Sequence, residues 1–230
     1  MAQADPSPRS TPAPGGASVW RKLRDVIRHG LVIQTLLDVL RKAGLEITPY
    51  YVMREAVVSP DAAPVAGLEN LRLAWLGPED AAQVGALPDS KFSEAETRAR
   101  LARGQRCLGA WVGSELAAFM WVDTGELDFE PCRGPLHPHE AYLFGATTTR
   151  ARRGHNLVPH LRAELYRALR AEGRTVCYSI SYAFNTPALR FKRKLNARCD
   201  RLYLYVSLWG LARRNWLLRR YPAAPGDGEP

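Results

Sequence analysis

At 230 residues with 46% apolar content, the chain has room for one sizeable domain with a buried core, plus extensions. Its four cysteines (Cys107, Cys132, Cys177, Cys199) are widely spaced and form no CxxC pair, which excludes a disulfide framework and a cysteine zinc site. The net charge of +9 is uneven: residues 148–221 hold 17 Lys/Arg against 3 Asp/Glu, and the rest of the chain holds 15 against 20. Such a basic C-terminal third calls for an anionic partner: cofactor phosphates, nucleic acid, an acidic carrier protein or anionic lipid. An Arg-rich solvated surface is the plain alternative.

Residues 1–18 are mostly Pro, Ala, Ser and Gly and are expected to form a disordered leader. Residues 19–67 read as an N-terminal extension. In it Trp20, Leu23, Ile27, Leu31, Leu37 and Leu40 recur at helical intervals between basic residues, a pattern that suits packing on the domain, on a partner or on an anionic membrane. The most apolar run, 31–40, is broken by Gln34 and Asp38 and is too short to span a bilayer. No signal-peptide pattern precedes it, so a cytoplasmic protein is expected, with the inner membrane face as an optional docking surface. Residues 47–58 read as extended, and 59–67, with two prolines, as a linker.

The main domain is expected over 68–210, with a basic aromatic tail over 211–230. Leu71–Leu76 reads as a strand, Gly77–Asp80 opens a short helix, and Ser93-Glu-Ala-Glu96 is a capping box for a second. The apolar runs 107–112 and 116–122, joined at Gly113, predict a β-hairpin. Residues 140–149 are apolar and β-branched, the signature of a strand. Arg150 to Asn156 reads as a basic turn, and Leu157, Leu161, Leu165 and Leu169 form one helical stripe ending before Gly173. A helix start presents unpaired N–H groups and the positive end of the macrodipole. With Arg150, Arg152, Arg153 and His155 ahead of it, this strand–loop–helix unit reads as a site for a phosphorylated ligand. A strand over 174–182, a helix opened by Asn185-Thr-Pro-Ala and an alternating strand over 201–208 follow.

This order of elements resembles the GNAT superfamily of acyl-CoA-dependent N-acyltransferases over roughly residues 68–208. The likeness rests on the hairpin around Gly113, the strand–Arg-Arg-Gly–helix unit, and Asn185-Thr-Pro-Ala-Leu-Arg-Phe-Lys-Arg-Lys-Leu195, which is similar to the family's Asn-x-x-Ala-x-x-Phe-Tyr segment. The resemblance implies an α+β fold: a mixed, mostly antiparallel twisted sheet flanked by helices, here with an N-terminal helical extension. It implies acetyl-CoA or another acyl-CoA as co-substrate, with the pyrophosphate cradled at Arg153, Gly154, His155, Asn156, Leu157 and Val158. Ala146, Thr147, Thr148 and Asn185 would meet the pantetheine arm. The loop is divergent: Asn156 and Val158 stand where the family's later small residues fall. Asn tolerates positive φ, whereas the bulk of Val158 crowds the phosphates.

For catalysis the resemblance points to Glu140 as the base, acting on the amine through water, with backbone N–H groups near Gly145–Ala146 polarising the thioester. A solvated glutamate is the competing reading, and Gly145 suits either a bulge or ordinary packing. Lys192 stands where the family often has a tyrosine acid, so no catalytic tyrosine carries over; Lys192, Arg193 and Lys194 read as a solvated face or a contact for the CoA 3′-phosphate. No metal site is expected. Three functions remain open: an N-acyltransferase acting on an amine, with an acyl carrier protein as a second possible donor; a non-catalytic module that binds CoA or a partner; and a nucleic-acid binder, disfavoured because charge alone supports it.

Overall fold

The described chain of the computed structural model covers residues 31–58, 70–88 and 90–222. The leader at 1–18, the first part of the basic helix and the linker at 59–67 lie outside the described residues. Helix α1 (Leu31–Lys42) and strand β1 (Leu45–Ala56) come first, followed by β2 (Leu71–Trp75). A 3-10 turn at Pro78–Asp80 leads into α2 (Ala81–Ala86), and α3 (Glu94–Ala102) precedes the hairpin β3 (Arg106–Val112) and β4 (Glu115–Asp123). A small hairpin, β5 (Glu126–Leu127) and β6 (Gly134–Pro135), precedes β7 (Glu140–Thr148). Next come α4 (Leu157–Ala171), β8 (Val176–Tyr182), α5 (Thr186–Lys194), β9 (Arg198–Leu208) and β10 (Ala212–Arg220).

Eight strands form one sheet in the order β10-β9-β1-β8-β7-β4-β3-β2. All neighbours are antiparallel except β7 and β8, whose connection through α4 makes them parallel. This is the mixed, mostly antiparallel α+β architecture expected from the sequence. The local signals hold as well: Ser93 Oγ accepts the Glu96 N–H at 3.2 Å, and Asn185 Oδ1 accepts the Ala188 N–H at 3.2 Å.

Two segments depart from expectation. Residues 45–56, read as part of an extension, form an interior strand of the main sheet, between β8 and β9. Pro49 argues against a central strand, but it lies one residue outside the pairing with β8, which begins at Tyr50. Residues 212–220, read as tail, form the edge strand β10. Its Arg-rich sequence carries no alternation because both of its faces are largely exposed.

The two faces of the sheet bury different cores. On one, Leu157, Leu161, Leu165 and Leu169 of α4 pack on Leu108, Met120, Ala141, Leu143 and Cys177. Each of these leucines contributes about 1.5–3 kcal/mol by leaving water. On the other, Phe92, Trp111, Phe119, Trp121 and Phe144 form an aromatic layer with Leu76 and Val84. Strand alternation therefore sends Ala141 and Leu143 toward α4, and Glu140, Tyr142 and Phe144 to the opposite face. Among the described residues, no helix is long and apolar enough to cross a membrane.

Candidate functional site

The parallel pair β7–β8 holds together at Glu140↔Val176, Ala141↔Cys177 and Tyr142↔Tyr178, and its register stops there. Both strands continue, β7 to Thr148 and β8 to Tyr182, each paired on its outer side to β4 and β1. A wedge therefore opens in mid-sheet. Its β7 wall contains Gly145, at φ +61°, where the β4–β7 register shifts by one residue. Gly145 is thus a bulge, and a Cβ there would lie 2.7 Å from the Phe92 ring and 3.0 Å from Trp121. Next to it Ala146 is exposed, while Thr147 and Thr148 are half-buried and paired to β4.

Beyond β7 the chain makes a 3-10 turn, Arg150–Arg152, then Gly154 at φ +88° and Asn156 at φ +58°. Asn156 is the N-cap of α4, so the left-handed turn expected for it is present. The first turn of α4 contains no acidic side chain, and Leu157 points into the core, leaving only its backbone for a ligand. Val158 is half-buried and packs in part against that core. Thr149 Oγ1 and His160 Nδ1 are buried with no hydrogen-bond partner among the described residues. Buried polar atoms left this way are uncommon in folded proteins. Here they flank the helix start.

The β8 wall shows the same signature. Ser179 and Ser181 lie past the last β7–β8 pair, are nearly fully buried, and their hydroxyls have no partner among the described residues. Helix α5 caps this side and corrects one expectation: Lys192 is not on a solvated face. It is 8% exposed, and its Nζ donates to the Ile180 carbonyl at 2.6 Å. Burial, together with the Arg162 charge, lowers its pKa to about 7. Arg193 and Lys194 do face solvent. Asn185 uses its side chain as the helix cap. Beneath this wall, Arg162 of α4, Glu55 of β1 and Tyr166 form a buried triad, with Arg162 Nη1 and the Tyr166 hydroxyl both donating to the Glu55 carboxylate.

Glu140 sits at the closed end of the wedge, on the face opposite α4. It is 9% exposed, its Oε2 accepts the His137 N–H at 2.9 Å, and its Oε1 accepts the Tyr178 hydroxyl at 3.0 Å. Burial and then the carboxylate raise the Tyr178 hydroxyl to about 12, so it stays a donor at neutral pH. Five residues, roughly 16 Å of extended strand, separate Glu140 from Gly145. Tyr142 and Phe144 lie between them on the same face. Glu140 opens into a cavity of about 450 Å³, walled by the 127–137 loop, Asp200 and Arg201 of β9, and Arg220 and Tyr221. His137 and His139 stack at 5.7 Å beside it.

The loop, Gly145 and Glu140, singled out from the sequence, lie along β7 and the turn that follows it. Sequence reading missed Ser179, Ser181 and the buried Lys192, for which the Ser-Ile-Ser run inside an apolar strand was the available signal. It also missed the cavity wall from β9 and β10, because strand pairing alone brings those residues to Glu140. Among the described residues, no cluster of side chains is arranged to hold a metal.

The splayed parallel pair, with a helix start behind its longer strand, defines the GNAT N-acetyltransferase fold, and the chain has that fold. It aligns with a protein assigned to the GNAT acetyltransferase family from Novosphingobium aromaticivorans (22% identity, TM-score 0.50, 72% of this chain). It also aligns with a tandem GNAT protein of clavulanic acid biosynthesis (19%, 0.52, 75%) and an N-acetyltransferase from Sphaerobacter thermophilus (13%, 0.52, 79%). The chain spans 66%, 58% and 56% of the lengths of those three proteins. No protein-family model matches the sequence, and no curated protein matches it.

Proposed function

We propose that the protein is an acyl-CoA-dependent N-acyltransferase, with acetyl-CoA as the first donor to test. The observation that carries this reading is the wedge past Tyr142 and Tyr178, lined by the Gly145 bulge and by Ser179 and Ser181 hydroxyls that have no partner among the described residues. An extended pantetheine arm fits between two strands that have parted, pairing with the backbone of β7 at Ala146–Thr148 and reaching the hydroxyls of β8. Its pyrophosphate falls at the start of α4, over Arg153–Val158. There backbone N–H groups and the helix dipole favour an anion, and the Thr149 and His160 atoms are within the same turn region.

In the reaction the amine nitrogen forms a bond to the thioester carbonyl carbon, the C–S bond breaks, the amine loses a proton and the thiolate gains one. A backbone N–H at the bulge is suited to the developing oxyanion. Glu140 takes the amine proton, and the strand length between Glu140 and Gly145 makes this a transfer through water or the Tyr178 hydroxyl. A second reading, a CoA-binding module without turnover, is favoured by Lys192, which is tied to Ile180 where the family often places a tyrosine acid. The exposed edge formed by Trp209, Leu211, Trp216 and Leu218, with Arg213 and Arg214 between them, is the surface on which an acyl carrier protein or an anionic membrane would dock.

The test is calorimetric titration of acetyl-CoA and CoA, followed by thiol release over a panel of primary amines. Binding with release supports the enzyme. Binding without release from any acyl-CoA supports the module, and absence of CoA binding ends both readings.

A further inference from the structure

The cavity around Glu140 has a distribution of charge that selects a ligand. Glu140 is almost buried, its carboxylate receives one neutral hydrogen bond on each oxygen and pairs with no cationic side chain among the described residues, and Arg174 donates to its main-chain carbonyl instead. A carboxylate this dry is best matched by a cation supplied from the cavity.

The far wall shows the opposite imbalance. Arg201 and Arg220 are direct partners across β9 and β10, so two guanidinium groups face the same cavity side by side. Like charges directly opposite each other destabilise a strand pair. One carboxylate compensates them: Asp200, the extra residue of a β1–β9 bulge, which accepts Arg201 Nε at 2.8 Å. Arg220 has no carboxylate partner among the described residues. Arg133, also on the wall, is already bound by Glu126, Asp128 and Glu130. The wall therefore keeps one uncompensated guanidinium, and its planar fork suits a carboxylate. The two imbalances are linked, because the Arg201 guanidinium lies 5.9 Å from the Tyr178 ring whose hydroxyl holds Glu140.

We propose that this cavity docks the acyl acceptor before it moves up the wedge to the thioester, and that the acceptor is a small primary amine that also bears a carboxylate, with its ammonium held at Glu140 and its carboxylate on Arg220 and Arg201 during docking. The assignment rests on the acyltransferase reading for the word acceptor, and on the cavity alone for the class of ligand. One surplus positive charge on the wall matches a carboxylate better than a doubly charged phosphate. A volume of about 450 Å³ admits a molecule of amino-acid size.

Matched pairs test it: ornithine against 1,4-diaminobutane, β-alanine against propylamine, and phosphoethanolamine against ethanolamine. Each is titrated into the full chain without acyl-CoA and then assayed for thiol release. Carboxylate-bearing members should bind about ten- to hundredfold more tightly than their partners lacking the group. Arg220→Gln should erase that preference while leaving the plain amines unchanged; Arg220 lies on the exposed edge strand, so the variant should fold. Equal binding within either carboxylate pair, a preference that survives Arg220→Gln, or a larger gain from phosphate than from carboxylate overturns the assignment. Thiol release with plain amines as good as with their acids refutes the ligand class and leaves the acyltransferase standing. Arg220-dependent binding of acids with no release from any acyl-CoA does the reverse.

Discussion

Arg162 Nη1 lies 2.5 Å from Glu55 Oε1, joining helix α4 to strand β1 across 107 residues, and both side chains are almost fully buried. The Tyr166 hydroxyl occupies the other carboxylate oxygen at 2.6 Å. This triad fixes the helix that follows the 150–156 loop to strand β1, so the position of that loop depends on β1. Replacing Glu55 by Gln leaves the Arg162 charge buried without its counter-ion. Unfolding in urea should show a loss of about 3–5 kcal/mol, with a lower midpoint and an unchanged slope. A loss below about 1 kcal/mol, in the range of surface pairs, would mean that the triad does not anchor β1.

Gly145 holds φ at +61° with the Phe92 ring 2.7 Å from where a Cβ would stand. Gly145→Ala therefore meets both backbone strain and close contact with the Phe92 and Trp121 rings, which must shift to admit it. It should destabilise the fold by about 1–3 kcal/mol, read as a lower melting temperature. It should also weaken CoA binding, since the bulge forms the wall of the wedge. An alanine variant of wild-type stability would place Gly145 among ordinary packing glycines.

How much of this was legible in the sequence follows from the range of each signal. Local chemistry could be read directly: Ser93 and Asn185 as caps, the leucine stripe of α4, and Asn156 as a residue at ease with positive φ. These features depend on neighbours within a few residues. The placement of β1 was not legible, because the unusual fact about Leu45–Ala56 is its partners, β8 and β9, 120 or more residues away. Lys192 was misread for a related reason. Arg190, Lys192, Arg193 and Lys194 look alike in a basic run, and only helical phase against β8 turns one of them inward. The cavity wall was invisible until β9 and β10 brought Arg201 and Arg220 opposite each other.

Lys192 gives a pH signature. Its pKa is lowered to about 7 by burial and then by the Arg162 charge, whereas an unfolded lysine titrates near 10.4. Between these values the unfolded chain binds more protons than the folded one, so this site makes stability rise with pH across that window. Below pH 7 the buried ammonium carries its full cost. Lys192→Met removes that cost and also removes the donor to Ile180, a loss that does not vary with pH. The variant's stability relative to wild type should therefore be greatest at or below about pH 7 and should fall steadily toward about pH 10. A difference that stays constant over this range would show that Lys192 remains charged in the folded protein.

Arg153 tests the phosphate loop. Its guanidinium stands just before Gly154 and the N-cap of α4. A charge-assisted hydrogen bond to the pyrophosphate is worth roughly 1.5–3 kcal/mol. Calorimetric titration of Arg153→Ala should show CoA binding weakened by about ten- to hundredfold, with little change in melting temperature because the side chain is exposed. Unchanged affinity would leave the backbone amides as the whole cradle.

Glu140 carries the chemical prediction. Its carboxylate is held by Tyr178 and the His137 N–H at the closed end of the wedge, where a cavity meets it from the face opposite α4. Glu140→Gln keeps the side chain's size, and the amide can still pair with the Tyr178 hydroxyl, so the fold and the CoA site should persist. What is lost is the ability to accept a proton. With an amine that supports thiol release in the wild type, kcat should fall by about 10²–10⁴, while CoA affinity stays within about twofold of wild type because the mutated group lies at the other end of β7. Raising the pH supplies the neutral amine without the enzyme's help, so part of the lost rate should return as pH approaches the pKa of the acceptor amine. A variant whose turnover stays within a factor of about two at every pH would show that the amine reaches the thioester already neutral, since loss of a working general base costs far more. In that case the role of Glu140 would be confined to holding the ammonium before transfer.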